Sequence, residues 1–438
     1  YNEIETLRAA GVAITPENLK VSERASLLLP WHRELDALEE ARLKDKKYGS
    51  TKQGIAPFYS DKYQKKTVLA GELLHPEHLK AHLADLLEWK NLMLTRVYGA
   101  KGYTMDELTA WIDDFGTKIK PFVANTTAFL REAQANGKRI LFEAQLGALR
   151  DLDYGIYPYT TSSNAIAAYA PVGSGLPTAK LDEVVGVVKA YSSCVGEGPF
   201  VCEWFGEGAQ QLRDAGAEYG AKTGRPRRVG PIDLVATRYG VETQGATNIA
   251  LTKLDVLSYM DKIPVCVAYE LDGKRIENFP GNIEELERAK PVYEYLEGFK
   301  CDISGCRKFS DLPVKAQEYV KAIEAAVGCP IKYVSVGAGR DLQLQLNNKS
   351  MSLNSGADAV KADAITIEFK NLDKLDIKAA GQALLAENGG KIILHNTGAV
   401  TADSAFVANG AGSGIKADGL TNITVGSGDA VKADAGSI

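Results

Sequence analysis

The amino-acid composition changes abruptly near Leu342, and this change constrains the fold more than any single motif does. From there to Ile438 the chain contains no Arg, Pro, Cys, Tyr or Trp, and Gly, Ala, Asn, Asp, Ser and Thr dominate. Short apolar triplets separated by turn-forming residues punctuate this region, a pattern that is typical of stacked strands. We therefore expect two domains, residues 1–341 and an appended segment 342–438.

The appended segment contains the heptapeptide DAVKADA twice, at residues 358–364 and 429–435. Internal repetition indicates stacked units, although a repeat stack usually needs three or more copies. The segment is therefore predicted to be β-rich and solenoid-like, and a disordered tail is the alternative.

Residues 1–341 alternate helical patterns with short apolar runs, which indicates an α/β domain with a mixed, largely parallel sheet. The apolar spacing predicts helices at Thr15–Arg42, Pro76–Arg96, Thr104–Asn136 with a break near Gly116, Ile283–Lys290 and Pro313–Val327. Short apolar runs predict strands at Arg139–Phe142, Asn248–Leu251, Pro264–Tyr269 and Ile331–Val336. One segment remains open between two alternatives, a helix at Lys180–Lys189 or a strand at Glu183–Tyr191.

Charge and hydropathy exclude several classes of protein. The net charge of −5 argues against a dominant nucleic-acid surface, which needs an excess of Lys and Arg. No apolar stretch approaches the roughly 20 residues of a membrane span, and the first residues lack a signal-peptide pattern. The six cysteines form no Cys-x-x-Cys pair, so we expect reduced thiols in a cytoplasmic protein.

Two neighbouring motifs suit anionic ligands. After the apolar run Ile249–Leu251, the carboxylate of Asp255 can accept two hydrogen bonds from a guanine edge while the stem of Lys253 covers the ring. The upstream run TGRPRR offers planar cationic forks for phosphate or carboxylate. Taken separately, each motif also fits a chance match or a solvated loop, but ligands gather at the carboxyl ends of parallel strands.

Six separated motifs give residues 3–341 a clear family resemblance. They are YGSTKQGIAPFYSDK, ILFEAQLGALRDLDYGIYPYTTSSN, VKAYSSCVGEGPF, EYGAKTGRPRRVGPIDL, LTKLDVL and VSVGAGRD. In this order they resemble adenylosuccinate synthetases, which join IMP and L-aspartate at the expense of GTP, with Mg²⁺, as homodimers in the cytoplasm. The resemblance implies the fold of that family, in an incomplete form, for residues 1–341.

The resemblance also implies a role for particular residues. Those that would bind GTP are Lys253, Asp255, Ser335, Gly337 and Ala338. Those that would bind IMP are Thr51, Lys65, Gln145, Thr161 and Arg225. Those that would bind aspartate are Val195, Thr223, Gly224, Arg225 and Arg227.

Several positions depart from the family pattern. Gln53 stands where an arginine is usual, and Lys65 replaces the arginine that would reach the IMP phosphate of a neighbouring subunit. Lysine keeps the charge but loses the bidentate fork. Gln145 lies one residue early, with Leu146 in the aligned place, and Cys194 replaces another usual arginine.

The family's phosphate loop, Gly-Asp-Glu-Gly-Lys-Gly, does not occur in the 438 residues, and neither does the histidine that follows it. In the family, the loop aspartate removes a proton from IMP and helps to bind Mg²⁺, and the histidine acts as a general acid. We therefore expect no catalytic or metal-binding residue in this chain, and low activity by the chain alone.

Three hypotheses remain open. The chain is a synthetase whose phosphate loop lies on another segment, a non-catalytic nucleotide-binding or assembly module, or a fusion in which residues 342–438 have a separate structural role.

Overall fold

A computed structural model describes residues 1–220 and 224–339 and, further along, twelve strands between residues 343 and 433. The chain divides into two compact units, Tyr1–Leu344 and Gln345–Ile438. The first unit is α/β, as predicted, and the strands of the second unit form parallel sheets.

The described part of the first unit contains twelve α-helices: α1 (Asn2–Ala9), α2 (Pro30–Leu43), α3 (Ile55–Tyr63), α4 (Pro76–Leu92), α5 (Met105–Trp111), α6 (Thr117–Ile119), α7 (Thr126–Ala135), α8 (Tyr169–Ser174), α9 (Gly206–Ala215), α10 (Leu234–Gln244), α11 (Ile283–Arg288) and α12 (Val314–Val327). Its strands are β1 (Val21–Ser22), β2 (Val123–Ala124), β3 (Val185–Lys189), β4 (Ser192–Cys194), β5 (Arg228–Gly230), β6 (Ile232–Asp233), β7 (Asn248–Thr252), β8 (Lys262–Leu271), β9 (Lys274–Ile276), β10 (Lys290–Glu297), β11 (Ile331–Ser335) and β12 (Gln343–Gln345).

One four-stranded sheet has the order β12-β11-β7-β3, and its strands β3, β7 and β11 are parallel. The central strand β7 buries Ile249 and Leu251 completely, as expected for a parallel strand covered on both faces. In the edge strand β3, by contrast, Val187 is 73% exposed. Because the three strands run in one direction, the residues that follow them meet at one edge of the sheet.

A second four-stranded sheet has the order β10-β8-β6, with β9 beside β8. Helix α10 packs against β8 and α12. Asp233 caps α10 by accepting a hydrogen bond from the Ala236 amide, and Gly245 ends the helix in the left-handed conformation. The buried hydroxyl of Tyr269, on β8, donates to the same Asp233 carboxylate at 2.6 Å. This contact joins the helix terminus to the sheet.

The helices α2, α4 and α5 surround a separate apolar core that contains Trp31, Leu83 and Leu108. Pro76 starts α4, as predicted, because its fixed φ and missing N–H suit the first helical turn. Helix α4 ends with a π-turn at Met93–Val97, which agrees with the predicted helix through Arg96.

Three sequence-based assignments were wrong in whole or in part. The predicted helix Thr15–Arg42 contains a short strand, and α2 begins only at Pro30, which cannot lie in a helix interior. The predicted helix Thr104–Asn136 is interrupted by strand β2 (Val123–Ala124), beyond the break expected near Gly116. The alternative left open from Lys180 to Tyr191 resolves as a strand, because Val185–Lys189 forms β3. Arg139–Phe142 forms no strand, and Leu141 is 93% exposed. An apolar run forms a strand only where a neighbour pairs with its backbone.

The second unit contains β13 (Ser350–Ser355), β14 (Val360–Asp363), β15 (Thr366–Lys370), β16 (Lys374–Ala379), β17 (Leu384–Glu387), β18 (Lys391–His395), β19 (Ala399–Ala402), β20 (Phe406–Asn409), β21 (Gly414–Asp418), β22 (Asn422–Val425) and β23 (Val431–Ala433). They form three parallel sheets with the orders β13-β16-β19-β22, β14-β17-β20-β23 and β15-β18-β21. Every third strand joins the same sheet, which is the topology of a parallel β-solenoid and confirms the β-rich prediction.

The register explains the repeated heptapeptide. Val360 pairs with Leu384, Leu384 with Phe406, and Phe406 with Val431. The described parts of the two DAVKADA copies therefore occupy equivalent positions at opposite ends of one sheet. The two strands between these copies, β17 and β20, keep an apolar residue at the position of Val360 but not the rest of the heptapeptide. The repeat is therefore recognisable in the sequence at only two places.

No helix in the described part of the chain is long and apolar enough to cross a membrane. All six cysteines are free thiols, and Cys202, Cys266 and Cys329 are buried.

Candidate functional site

The candidate site begins at the carboxyl edge of the parallel sheet. Lys189 ends β3, Lys253 follows β7, and Ser335 ends β11. The pairing of Lys189 with Thr252 and of Val334 with Leu251 aligns these three strand ends. Basic and hydroxyl side chains from distant parts of the sequence are thus brought to one edge, where ligands of open α/β sheets bind.

Lys253 and Asp255 occupy a sharp turn at this edge. Lys253 has a left-handed backbone with φ of 60°, and a 3₁₀-helix, Leu254–Tyr259, starts directly after it. Leu254 and Leu257 are buried beneath the turn, so Asp255 is held half-buried above an apolar base. Burial raises the pKa of the Asp255 carboxyl above its ordinary value.

The turn after β11 is stabilised by its own hydrogen bond. The Ser335 hydroxyl donates to the Gly337 carbonyl at 2.9 Å. Val336 points into the core, whereas Ala338 is exposed. This turn therefore presents backbone groups at the same sheet edge as Asp255.

The basic run folds back on the segment before it. Tyr219 pairs with Pro226, and the Gly224 amide donates to the Gly220 carbonyl at 2.7 Å. Gly224 has a φ of 64°, which favours glycine. Arg227 Nη1 donates to Glu218 Oε2 at 2.9 Å. Thr223, a predicted aspartate-binding residue, lies outside the described residues.

The arginines of this run differ in their surroundings. Arg225 is half exposed and lies 3.4 Å from Glu197. Arg228 binds Glu203 and also donates to the Gly198 carbonyl at 2.8 Å. The buried Nε of Arg227 has no hydrogen-bond partner among the residues that the structure describes.

Arg150 holds three loops together. Its guanidinium donates to the carbonyls of Tyr159 and Val195 and contacts the Cys194 thiol. Thr161 is attached to the same residue, because its amide donates to the Arg150 carbonyl at 2.9 Å. Arg150 thus fixes the positions of two residues that the sequence singled out, Thr161 and Val195.

The adjoining loop from Asp151 to Ile166 is organised by one buried carboxylate. Asp151 accepts hydrogen bonds from the amides of Asp153, Tyr154, Ala165 and Ile166. Burial acts to raise the pKa of Asp151, but these four amides outweigh burial and lower it. Sequence reasoning assigned no role to Arg150 or Asp151, although both lie in one of the six motifs, because their partners are backbone groups that only the fold brings together.

The Thr51 loop is held by two carboxylates one helical turn apart on α2. Asp36 accepts from the Ser50 hydroxyl at 2.7 Å and from the Gly54 amide at 2.8 Å. Glu40 accepts from the amides of the two residues that open the loop, Tyr48 and Gly49. Thr51 itself is exposed at the tip of a loop whose two ends are fixed.

A single open cavity of about 2370 Å³ collects many of these groups. It is lined by five of the predicted site residues: Thr51, Gln145, Thr161, Val195 and Arg227. The lining also includes Lys189, which connects the cavity to the sheet edge that carries Lys253.

Two predicted IMP-binding residues have distinctive surroundings. Gln145 is exposed on a segment without regular structure, next to Leu146, which has a left-handed φ of 77°. Lys65 is exposed just after α3, outside the cavity lining, with a φ of 62°.

The part of the chain that the structure describes contains no group of three His, Cys, Asp or Glu side chains that could hold a metal ion.

Comparisons with known proteins identify a family for most of the chain. The adenylosuccinate synthetase family model matches residues 1–344. The chain is 42% identical over 346 residues to an adenylosuccinate synthetase of Caldanaerobacter subterraneus subsp. tengcongensis, covering 79% of this chain and 81% of the relative. It is 42% identical over 339 residues to that of Streptococcus sanguinis, covering 77% of this chain and 78% of the relative.

A solved structure shares the fold. The fully ligated adenylosuccinate synthetase from Plasmodium falciparum superposes with a TM-score of 0.74 at 32% identity, covering 78% of this chain and 82% of that chain. The extent of the sequence match and the shared fold lead to one conclusion: the chain belongs to the adenylosuccinate synthetase family.

Proposed function

We propose that this chain binds the substrates for the GTP-dependent ligation of IMP and L-aspartate to adenylosuccinate. The observation that carries the proposal is the convergence of three parallel strands, β3, β7 and β11, whose ends place Lys253, Asp255 and Ser335 at one edge. This edge continues into the large cavity through Lys189.

The proposed guanine subsite uses Asp255 and Lys253. An ionised carboxylate accepts from two neighbouring N–H groups, which matches the N1–H and 2-amino edge of guanine and no edge of adenine. The half-buried position of Asp255 strengthens such bonds, because the local dielectric is lower than in water. The turn containing Ser335, Gly337 and Ala338 would lie over the base.

The proposed IMP and aspartate subsites lie in the cavity. Arg227 and Arg225 supply guanidinium groups for carboxylates, and the backbone of Val195 and Gly224 would complete the aspartate subsite. Thr51, Gln145 and Thr161, which also line the cavity, would supply polar groups for IMP. Thr223 completes this assignment from the family pattern.

Phosphoryl transfer needs a phosphate cradle, a metal ion and a positioned base. The 438 residues contain no Gly-Asp-Glu-Gly-Lys-Gly sequence, the loop that supplies the phosphate cradle in the family. We therefore propose that substrate binding resides in these residues and that turnover needs a phosphate-loop segment. Adenylosuccinate formation should be measured with and without an added peptide carrying that loop; turnover by the 438 residues alone would contradict this part of the proposal.

We also propose a homodimer. The exposure of Lys65 outside the cavity suits a residue that reaches the IMP phosphate of a second copy. Light scattering should give twice the mass of one chain, and a monomer at micromolar concentration would contradict this.

The guanine subsite is tested by comparing GDP with inosine diphosphate (IDP), which lacks only the 2-amino group. A hydrogen bond to a charged group contributes about 1.5–3 kcal/mol, so GDP should bind roughly ten to a hundred times more tightly than IDP. Asp255→Ala should remove that preference. Equal affinities for the two nucleotides in the unmodified chain would refute the assignment.

A further inference from the structure

The carboxylate of Glu218 is fully buried and is shared by basic groups from three segments of the chain. Its Oε1 accepts hydrogen bonds from Lys189 Nζ at 2.8 Å and from the Tyr191 hydroxyl at 2.5 Å. The same oxygen lies 3.3 Å from Lys253 Nζ, and Oε2 accepts from Arg227 Nη1 at 2.9 Å. The Glu218 side chain is 0% exposed, so its role is exerted through these neighbours.

The carboxylate remains ionised at neutral pH. Burial acts to raise the pKa of Glu218, but the hydrogen bonds from Lys189 and Tyr191 and the nearby positive charges outweigh burial and lower it to about 2. One negative charge therefore faces the basic side chains of Lys189, Arg227 and Lys253. Without it, these three like charges would repel one another inside a partly buried cluster.

The neighbours of Glu218 belong to different subsites of the proposed function. Lys253 reaches it from the guanine side, at the end of β7, and Arg227 reaches it from the aspartate side, just before β5. Lys253 lies beside Oε1 and Arg227 beside Oε2 of the same carboxylate. Their positions are therefore not independent of each other.

We propose that Glu218 is a positioning residue that holds the guanine-reading lysine and the aspartate-reading arginine in place together. This inference rests on the proposed function, because it names the groups that serve each substrate. It predicts that a single substitution at Glu218 weakens the binding of both a guanine nucleotide and L-aspartate.

The isosteric substitution Glu218→Gln tests this directly. Glutamine replaces one oxygen with an amide NH₂, which meets Arg227 or the Lys189–Tyr191 pair donor to donor. Loss of a hydrogen bond to a charged group corresponds to roughly a tenfold to hundredfold change in affinity. Glu218→Asp keeps the charge but shortens the side chain, so it should retain part of the affinity.

A matched control lies close by. Glu203 is also a largely buried carboxylate, and it binds Arg228, the residue directly after Arg227. Both of its carboxylate oxygens accept from the Arg228 guanidinium. Glu203→Gln thus removes a comparable ion pair next to Arg227 while leaving the Glu218 carboxylate intact.

Calorimetric titration of the full chain with GDP and, separately, with L-aspartate is the decisive experiment. Glu218→Gln should lower the affinities for GDP and for L-aspartate by about ten- to a hundredfold. Glu203→Gln should keep the GDP affinity within about twofold of that of the unmodified chain. Weakening of only one ligand, or of neither, would overturn the inference. If the unmodified chain binds neither ligand, the proposed function fails.

A second measurement needs no ligand and separates these two failures. Brief acetylation with acetic anhydride, followed by mass spectrometry, should show faster labelling of Lys189 and Lys253 in Glu218→Gln, with the exposed Lys101 as the internal reference. Unchanged labelling would show that Glu218 does not hold these lysines. If Glu218→Gln fails to fold by its thermal unfolding curve, Glu218→Asp is measured in the same way.

Discussion

The buried ion pair between Lys90 and Asp61 makes the sharpest stability prediction. Asp61 lies on α3, where it contacts Lys90 of α4 and accepts a hydrogen bond from His32 of α2 at 2.8 Å. The side chains of Lys90 and Asp61 are 1% and 4% exposed. Burial lowers the pKa of Lys90, and the Asp61 carboxylate opposes that effect. One carboxylate thus joins three helices and neutralises a lysine without access to water.

Asp61→Ala leaves this lysine without a counter-ion, and we expect it to lower the free energy of unfolding by about 3–5 kcal/mol. Adding Lys90→Met removes the orphaned charge, so the double variant should recover about 2 kcal/mol or more. The exposed pair Lys118–Asp114 is the control, and Asp114→Ala should cost about 0.5 kcal/mol or less.

Urea unfolding followed by tryptophan fluorescence is the appropriate assay. All four tryptophans precede Leu342, and Trp31 lies next to His32 in the core, so the signal reports on the first unit. A cost below about 1 kcal/mol for Asp61→Ala, or no recovery in the double variant, would refute the counter-ion argument.

Three further predictions concern the loop, the pH response and the solenoid. Gly54→Ala places a Cβ 2.7 Å from the backbone of His32 at a φ of 84°, so it should displace the Thr51 loop and weaken IMP binding in calorimetry; unchanged IMP affinity would contradict this. The pKa of Glu218 falls from 4.5 to about 2 in the folded chain. The ionised carboxylate therefore contributes about 3 kcal/mol to the free energy of unfolding, fully present above about pH 4.5 and lost as the pH falls toward 2. The urea midpoint of Glu218→Gln should vary less over that pH range than the midpoint of the unmodified chain. Ile392→Asp puts a charge at a fully buried solenoid position and should make residues 345–438 more sensitive to limited proteolysis, read by mass spectrometry; an unaltered cleavage pattern would count against that packing.

Sequence reasoning succeeded where one local signal decides the structure. Pro76 starts a helix, the apolar run Ile249–Leu251 forms a central strand, and the break at Leu342 precedes a change to parallel solenoid strands. It failed at Arg139–Phe142, because an apolar run does not specify whether a partner strand is present. A prediction from sequence succeeded where a local signal sets the backbone conformation, and it failed where that conformation depends on pairing with a distant strand.

The site was only partly predictable for the same reason. Motif spacing indicated Lys253, Asp255 and Arg227, since each lies in a recognisable run. Glu218 begins the motif EYGAKTGRPRRVGPIDL, but the motif alone gives it no role, and its importance arises only when three segments fold around it. Asp36 was missed likewise, because its partners are a hydroxyl and an amide of a loop more than ten residues away.

The central claim is that the carboxyl edge of the parallel sheet reads guanine through Asp255, and the affinities of the full chain for GDP and IDP test it most directly. We expect a GDP preference of roughly ten- to a hundredfold that disappears in Asp255→Ala, because this variant loses both hydrogen bonds to GDP and the single N1–H hydrogen bond to IDP. A chain that binds GDP and IDP equally, or an Asp255→Ala variant that keeps the preference, would contradict the account.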